Sequence, residues 1–284
     1  MDSDSSSQPV STQLNLTTDS EFYKDWKHEY RQDTENAILN SDYGTDSILA
    51  WITKTVSNLC DHFQLSHSIE FSTIDTFEQL LIKVIKNGEE SELAKKFLNN
   101  IVPNLMTVLS LVSKHFDSRT GMDRSLMTSL LKKHNPYFDL SNHAMLTMEF
   151  DVLKALNHKI TSSLLLGAVE RFTKDYILTL GLARKHHIGR VGAKLIRTVY
   201  ACKLEIYASL KPLMKSDEMF VRFKANKLIL AAAIVAAIPF CCGLQIEPAQ
   251  QDRIVKPLSN DCFVEPSNII FLRDAILKVV APGR

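Results

Sequence analysis

The chain has 284 residues, of which 45% are hydrophobic and 23% are charged, and its formal net charge is +1. This composition is typical of a globular protein with enough length for one large or two smaller hydrophobic cores. The near-neutral charge argues against a protein whose main task is binding the phosphate backbone of nucleic acid. The five cysteines follow no repeating interval, so a disulfide framework is not expected and a reducing compartment is favoured.

The first segment of the chain, residues 1–20, is rich in serine, threonine, aspartate and glutamine. It contains no apolar run typical of a signal peptide, and it is predicted to be a disordered tail. Phe22, Trp26 and Tyr30 then recur at intervals of four and indicate a short helix with an aromatic face. We interpret this helix as folded back on the following domain, and a free docking helix is the alternative.

Helical periodicity dominates the rest of the chain, and few segments alternate with a period of two. The sequence therefore predicts an all-α protein built from two tandem five-helix bundles, over residues 21–160 and 161–284. The ten helices of these bundles are predicted at about residues 46–63, 69–87, 105–116, 123–134, 141–157, 162–176, 191–210, 225–238, 248–258 and 266–280, and a short additional helix is predicted at 92–100.

One uncharged segment, Leu228 to Leu244, has an apolar composition similar to that of a membrane span. A span needs roughly 20 apolar residues. This segment is shorter, contains Pro239 and owes much of its apolar character to alanine. Because small side chains suit a helix that is surrounded by other helices, a buried core helix is predicted and a membrane partner is not expected.

No enzyme motif is present, whether a Gly-rich phosphate loop, a nucleophile elbow, a zincin helix or a kinase catalytic loop, so neither catalysis nor a cofactor is expected. Cys60, His62 and His67 lie close together but lack a second Cys/His pair at ligand spacing, so no metal site is predicted. A basic cluster is interpreted as a solvated helix face, with a phosphate or an acidic partner as the alternative. Its members are Arg184, Lys185, His186, His187, Arg190, Lys194 and Arg197.

A lysine and a glutamate occupy similar places on two apolar helices of the first half. Lys114 lies at the end of the helix around 105–116, and Glu149 lies beside an apolar stripe on the helix over 141–157. The stripe consists of Leu146, Phe150, Leu153 and Leu156. An acid and a base on core helices of one compact unit predict a polar contact set in an apolar surface.

Several segments of the chain resemble the cyclin family. Together they cover roughly residues 22–280 and imply that the two bundles are cyclin-box-like domains. The similar segments are residues 61–66 (the link between the first two helices of the box), 74–77 (its second helix), 111–114 (the end of its third helix), 148–156 (its fifth helix) and 228–237 (the second box).

In the cyclin family, the lysine and glutamate equivalent to Lys114 and Glu149 bind main chain of a cyclin-dependent protein kinase. Apolar residues around them pack on the mobile regulatory helix of the kinase, whose glutamate must pair with the catalytic lysine for phosphoryl transfer. The resemblance thus implies a non-catalytic, kinase-binding regulatory subunit in cell-cycle control, with Lys114, Glu149, Leu153 and Ile160 as contact residues. The alternative is that Lys114 and Glu149 form only an intramolecular pair.

The chain also departs from many cyclins, because His115 and His158 stand where aromatic residues are common. The substrate-docking pattern Met-Arg-Ala-Ile-Leu is not matched over residues 46–51, and the tail shows no Arg-x-x-Leu degradation signal. As a divergent, short-tailed chain with two boxes, it most resembles the meiotic cyclin-like crossover proteins, the cyclin N-terminal-domain-containing group.

That narrower resemblance implies a role in meiotic crossover formation, recombination proteins as further partners, and a nuclear, chromosome-associated location, with the cytoplasm as the other location. The alternative function is a kinase-independent cyclin-fold scaffold that recruits recombination or transcription proteins. Direct binding of nucleic acid is not expected, given the neutral charge balance.

Overall fold

The computed structural model describes residues 16–39, 45–86, 92–116, 124–134, 141–160, 162–179, 181 and 185–280. These residues form fourteen α-helices, one π-helical turn and one 3-10 turn, and they contain no strand, which confirms the predicted all-α class. The α-helices in chain order are α1 (Leu16–Leu39), α2 (Asp46–Phe63), α3 (His67–Lys86), α4 (Glu92–Asn99), α5 (Ile101–Phe116), α6 (Arg124–His134), α7 (Asn142–Ala155), α8 (Leu164–Phe172), α9 (Lys185–Ala201), α10 (Lys203–Leu210), α11 (Asp217–Ala225), α12 (Lys227–Cys241), α13 (Pro248–Cys262) and α14 (Pro266–Val280).

The first bundle is organised around α3 and α5, which pack on each other, while α2 covers α3 and α7 covers both. The apolar run predicted for α5 is buried over its whole length, with Leu105, Val108, Leu109 and Val112 fully enclosed. Pro103 lies in the first turn of α5, where the missing amide hydrogen breaks no helical bond. The first bundle therefore has the apolar central helix that the sequence predicts.

The second bundle is organised around α12, which packs against α8, α9, α13 and α14. The side chain of Asn226 caps α12 by accepting from the amides of Leu228 and Ile229. Every residue from Leu228 to Pro239 is buried, so the alanine-rich segment is a core helix as predicted. Its small side chains allow neighbouring helices to approach closely from all sides.

Within the described residues, no single helix is long and apolar enough to cross a membrane. The helices Asp217–Ala225 and Lys227–Cys241 meet the length and composition test only as a pair, and this pair is bent by 69°.

The N-terminal helix is longer than the sequence predicts, because α1 begins at Leu16, inside the tail predicted over residues 1–20. Its polar first turns show that polar composition alone does not separate a helix from an irregular tail. Tyr30 is buried, and its hydroxyl donates to the carbonyl of Leu164. Asp33 forms an ion pair of 3.2 Å with Lys227 of α12. This helix is thus folded back on the protein, but it packs mainly on α11 and α12 of the second bundle rather than on the domain that follows it. Residues 1–15 lie outside the described part of the chain.

The helix predicted as one continuous segment over 191–210 is two helices in the structure, α9 and α10. Cys202 separates them with φ of −113° and ψ of 18°, outside the helical range. Leu195, Val199 and Ile206 are nevertheless buried as expected. The break turns α10 toward α2 and α14, so the second bundle contacts the first bundle through both α9 and α10.

Candidate functional site

The two residues singled out from the sequence meet in the structure. Lys114 lies in the last turn of α5 and Glu149 lies in the second half of α7, and these helices pack on each other. The Lys114 Nζ atom donates to Oε1 of Glu149 at 2.8 Å. The lysine side chain is 49% exposed and the glutamate side chain 14% exposed. The predicted polar contact is therefore formed, and it lies at the surface of the first bundle.

The orientation of α7 decides what surrounds this pair. Ser141 caps the helix by accepting from the amide of Ala144, and Met145, Val152 and Leu156 turn toward the core. The neighbouring face is left outside, because Leu146 is 53% exposed and Phe150 is 59% exposed. Of the four residues of the predicted stripe, Leu156 is thus buried, Leu153 is half-buried and the other two face solvent.

Leu153 and Ile160, the two apolar contact positions implied by the resemblance, are half-buried and pack against the core. They stand on either side of a turn in which Asn157 and His158 have φ values of 54° and 57°. Non-glycine residues rarely adopt this left-handed conformation, which costs of order 1–3 kcal/mol per residue unless surrounding contacts support it. The amide of His158 donates to the carbonyl of Leu153 at 2.7 Å, which ties the turn to α7.

We call the group formed by Lys114, Leu146, Glu149, Phe150, Leu153 and Ile160 the α5–α7 surface. The two histidines that depart from the cyclin pattern border it. The ring of His158 lies 6.4 Å from that of Phe150 in an edge-to-face arrangement, and His115 lies 5.1 Å from Phe116 in a similar one. Each histidine thus stands next to a phenylalanine, so aromatic surface remains near both positions.

The Lys114–Glu149 pair contributes little to folding, since exposed ion pairs are worth about 0.2–1 kcal/mol. Within the described part of the chain, Glu149 Oε2 accepts no hydrogen bond, and Lys114 uses one of its three donors. The pair can therefore bind backbone groups of another molecule without losing its internal contact. This geometry accommodates both interpretations of the pair, as an internal contact and as a docking contact.

A second buried acid was missed by the sequence reasoning. Glu70 of α3 is fully enclosed, and its carboxylate accepts from Ser57 and from Nε and Nη2 of Arg197. Arg197 also pairs with Asp61 at 2.8 Å. Burial opposes the charged form of Glu70, but hydrogen bonds with His67, Arg197 and Ser57 outweigh it and hold its pKa below its usual value. An acid on an apolar helix was the signal that identified Glu149, and it applied equally to Glu70.

This contact corrects the interpretation of the basic cluster over residues 184–197. Arg197 is not on a solvated face, because it joins α9 to α2 and α3 across the two bundles. His187, Arg190 and Lys194 are exposed on α9, as that interpretation predicts. The side chains of residues 184–186 lie outside the described part of the structure. Among the described residues, no group of three His, Cys, Asp or Glu side chains is placed to hold a metal ion.

The comparisons with known proteins give one similar structure. No protein-family model and no curated protein sequence matches the chain. The fold is similar to the X-ray structure of a viral cyclin from herpesvirus saimiri, with a TM-score of 0.53 and 12% sequence identity. The similarity covers 90% of this chain and 97% of that chain. The chain therefore has the cyclin fold, and its Lys114–Glu149 pair lies on the first of the two bundles.

Proposed function

We propose that this protein is a cyclin-like, non-catalytic regulatory subunit that docks on a cyclin-dependent protein kinase through the α5–α7 surface. The observation that supports the proposal is the Lys114–Glu149 pair, which stands among the exposed side chains of Leu146 and Phe150. Two neighbouring apolar side chains that are exposed next to a part-buried charge pair are typical of an interaction surface.

The proposed mechanism is a shift in the conformational equilibrium of the kinase. Phe150 and Leu146 bury apolar area against a kinase helix, while Lys114 and Glu149 bind main-chain groups at its end. The subunit stabilises the active position of that helix because it binds this position more tightly than the inactive one. The active position brings the helix glutamate to the catalytic lysine, as phosphoryl transfer requires.

The test is replacement of both charged residues, Lys114→Ala with Glu149→Ala, followed by affinity purification and mass spectrometry. We expect loss of a stoichiometric kinase and at least about a thirtyfold weaker Kd for the purified pair, since breaking desolvated charged contacts costs about 2–5 kcal/mol. The fold should persist, with a change in unfolding free energy below about 1 kcal/mol.

The matched control is Asp252→Ala with Lys256→Ala, which removes an exposed ion pair of 2.7 Å from α13 of the second bundle. This control should capture the same kinase as the unmodified chain. Equal kinase capture by the Lys114/Glu149 variant and the control would disprove docking through the α5–α7 surface.

A kinase-independent scaffold is the second candidate, and the exposed cations Arg190 and Lys194 on α9 favour it. A scaffold of this kind would keep its partners in the Lys114/Glu149 variant. It would lose recombination or transcription proteins on Arg190→Glu, which reverses one charge on that face. Recovery of such proteins without a kinase would support the scaffold.

We further propose that the protein acts in meiotic crossover formation, in the nucleus and in association with chromosomes, with recombination proteins as additional partners. This narrower proposal is supported by the sequence resemblance to the meiotic cyclin-like group. Imaging of the tagged protein in meiotic cells tests it. Discrete foci on paired chromosomes are expected, and uniform cytoplasmic signal would contradict the proposal.

A further inference from the structure

A cavity of about 1030 Å³ lies between the two bundles and α1. Its walls come from α1, from the C-terminal half of α3 and from α10, α11 and α12. Its lining also includes Phe116 at the end of α5 and Ile160 of the α5–α7 surface. The cavity is therefore continuous with the proposed kinase-docking surface.

Three lysines in the inner part of the cavity are neutralised by acids. Lys203 lies 3.2 Å from a carboxylate oxygen of Asp46 and 3.6 Å from one of Glu78. Lys224 pairs with the other oxygen of Asp46, and Lys227 pairs with Asp33. These contacts join the second bundle to α1 and to the first bundle, and they leave little unbalanced charge on these three lysines for a ligand.

The outer part of the cavity is lined by two further lysines, Lys83 and Lys159. Lys83 donates to the main-chain carbonyl of Ala155 at 3.0 Å. Among the residues that the structure describes, no carboxylate lies within 4 Å of the Nζ atom of Lys83 or Lys159. Burial and the nearby positive charge of Lys159 both lower the pKa of Lys83, which shows that like charges converge here. We call Lys83 and Lys159 the cationic rim.

The strained turn after α7 holds one side of the cationic rim in place. Asn157 and His158 are both left-handed, and the chain leaves them at Lys159 and Ile160. The amide of Lys159 donates to the carbonyl of Leu156 at 3.2 Å, so the turn is closed by backbone bonds. A conformation with this cost persists where the surrounding structure requires it, and here it brings Lys159 toward the end of α3.

We propose that the cationic rim binds a phosphorylated serine or threonine of a partner protein. A phosphate group carries about −1.5 to −2 charges and three acceptor oxygens, which match two converging lysines better than a single carboxylate does. Lysines serve this purpose as point charges that bind phosphate without a fixed fork geometry. The cavity is large enough to admit the phosphorylated side chain together with its neighbours.

The cationic rim adjoins the α5–α7 surface at Ile160, so a partner docked on that surface can present the phosphate. The identification of that partner as a kinase rests on the proposed function, whereas phosphate binding by the rim does not. The two proposals therefore fail separately. The variant Lys114→Ala with Glu149→Ala should lose kinase capture and keep phosphopeptide binding.

The experiment measures binding of the full chain to a pool of short random peptides with a central phosphoserine or phosphothreonine, by fluorescence anisotropy. The same pool with unmodified serine or threonine, and a pool with central glutamate, are measured beside it. We expect the phosphorylated pool to bind most tightly. Lys83→Gln with Lys159→Gln should weaken it at least about tenfold, since charge-assisted hydrogen bonds are lost.

Two further variants guard against loss of folding and against general charge effects. Lys83→Arg with Lys159→Arg keeps the positive charge and should retain binding. Lys211→Gln with Lys256→Gln removes the same charge from exposed lysines outside the cavity and should leave binding unchanged. The proposal is overturned by equal affinity for the three pools, by wild-type affinity of the Lys83/Lys159 variant, or by tighter binding to phosphatidylserine vesicles or duplex DNA.

Discussion

Arg197 stabilises the fold through buried and surface ion pairs, although the sequence places it in a basic cluster. Its guanidinium binds Glu70 through Nε at 2.6 Å and through Nη2 at 2.8 Å, and it also reaches Asp61. Glu70 has no exposed surface, so its charge depends on this partner. Removing one partner of a buried ion pair is costly because the other charge is left without compensation.

We therefore predict that Arg197→Met lowers the free energy of unfolding by about 3 kcal/mol, the lower end of the range for broken buried pairs, because Arg197 is only partly buried. Urea denaturation followed by circular dichroism measures it. The control is Arg222→Met, which removes an exposed ion pair with Glu218 on one helix and should cost less than about 0.5 kcal/mol. Equal effects of the two substitutions would contradict the prediction.

Of the two polar contacts made by acidic residues Glu149 and Glu70, only one could be predicted from the sequence. The contact between Lys114 and Glu149 followed from a family resemblance together with the helical position of each residue. The partner of Glu70 did not follow, because Arg197 lies 127 positions away and belongs to the other bundle. Nothing local to either residue encodes the pairing, which arises when α9 packs on α2.

At the scale of elements, helix α9 contains a glycine that the packing does not require. A Cβ atom added to Gly192 would meet Val169 Cγ1 at 3.6 Å and Ile238 Cδ1 at 3.7 Å, which are ordinary van der Waals distances. Glycine inside a helix is less favourable than alanine by about 0.8–1 kcal/mol. The close approach of α9 to α8 and α12 thus leaves room for one methyl group.

We predict that Gly192→Ala raises the free energy of unfolding by about 0.5–1 kcal/mol, through lower entropy of the unfolded chain and added contact with the core. Thermal unfolding followed by circular dichroism should show a higher Tm. Gly243→Ala is the matched control, because Gly243 has φ of 72° after α12 and alanine there costs about 1–2 kcal/mol. A lower Tm for Gly192→Ala would show that α9 cannot accommodate the methyl group.

The elements themselves were largely predictable from the sequence. The periodicity of apolar residues located the central helices α5 and α12, and the alanine-rich run was correctly assigned to the core. The break at Cys202 and the start of α1 at Leu16 were not predicted. Helix ends depend on small local differences in backbone energy, whereas burial of an entire apolar face is a large and repeated signal.

At the scale of the whole molecule, carboxylates join the two bundles. Besides Glu70 with Arg197, Asp46 of α2 pairs with Lys203 and Lys224, and Asp75 of α3 accepts from the hydroxyl of Tyr200 at 2.6 Å. Burial opposes ionisation of Asp46, but the two lysines outweigh it and lower its pKa. Burial dominates at Asp75 and raises its pKa.

Acid should therefore destabilise the folded protein. A carboxyl whose pKa is lowered on folding contributes stability above its unfolded pKa of about 3.9–4.3, and this contribution is lost as the pH falls through the folded pKa. Glu70 and Asp46 act in this direction, while Asp75, whose pKa is raised, acts in the opposite one. We predict that the free energy of unfolding falls as the pH is lowered from about 5 to 3.

Urea unfolding at a series of pH values measures this dependence, and Glu70→Gln is the informative variant because it cannot titrate at this position. It should be less stable than the unmodified chain at neutral pH, and the gap should narrow as the pH falls. A gap that stays constant from neutral pH to pH 3 would show that Glu70 does not contribute to the acid sensitivity.

Local patterns in the chain identified the helical class and the central helices, because helical periodicity and turn chemistry are local properties. The family resemblance added the pairing of Lys114 with Glu149. Helix packing, by contrast, establishes that Leu146 and Phe150 remain exposed, that Glu70 depends on Arg197, and that Lys83 and Lys159 line one cavity beside the α5–α7 surface. These features depend on which helix faces pack together and on the relative position of the two bundles. Such long-range packing is set by the sum of many weak contacts between distant residues, and no single segment of the sequence records it.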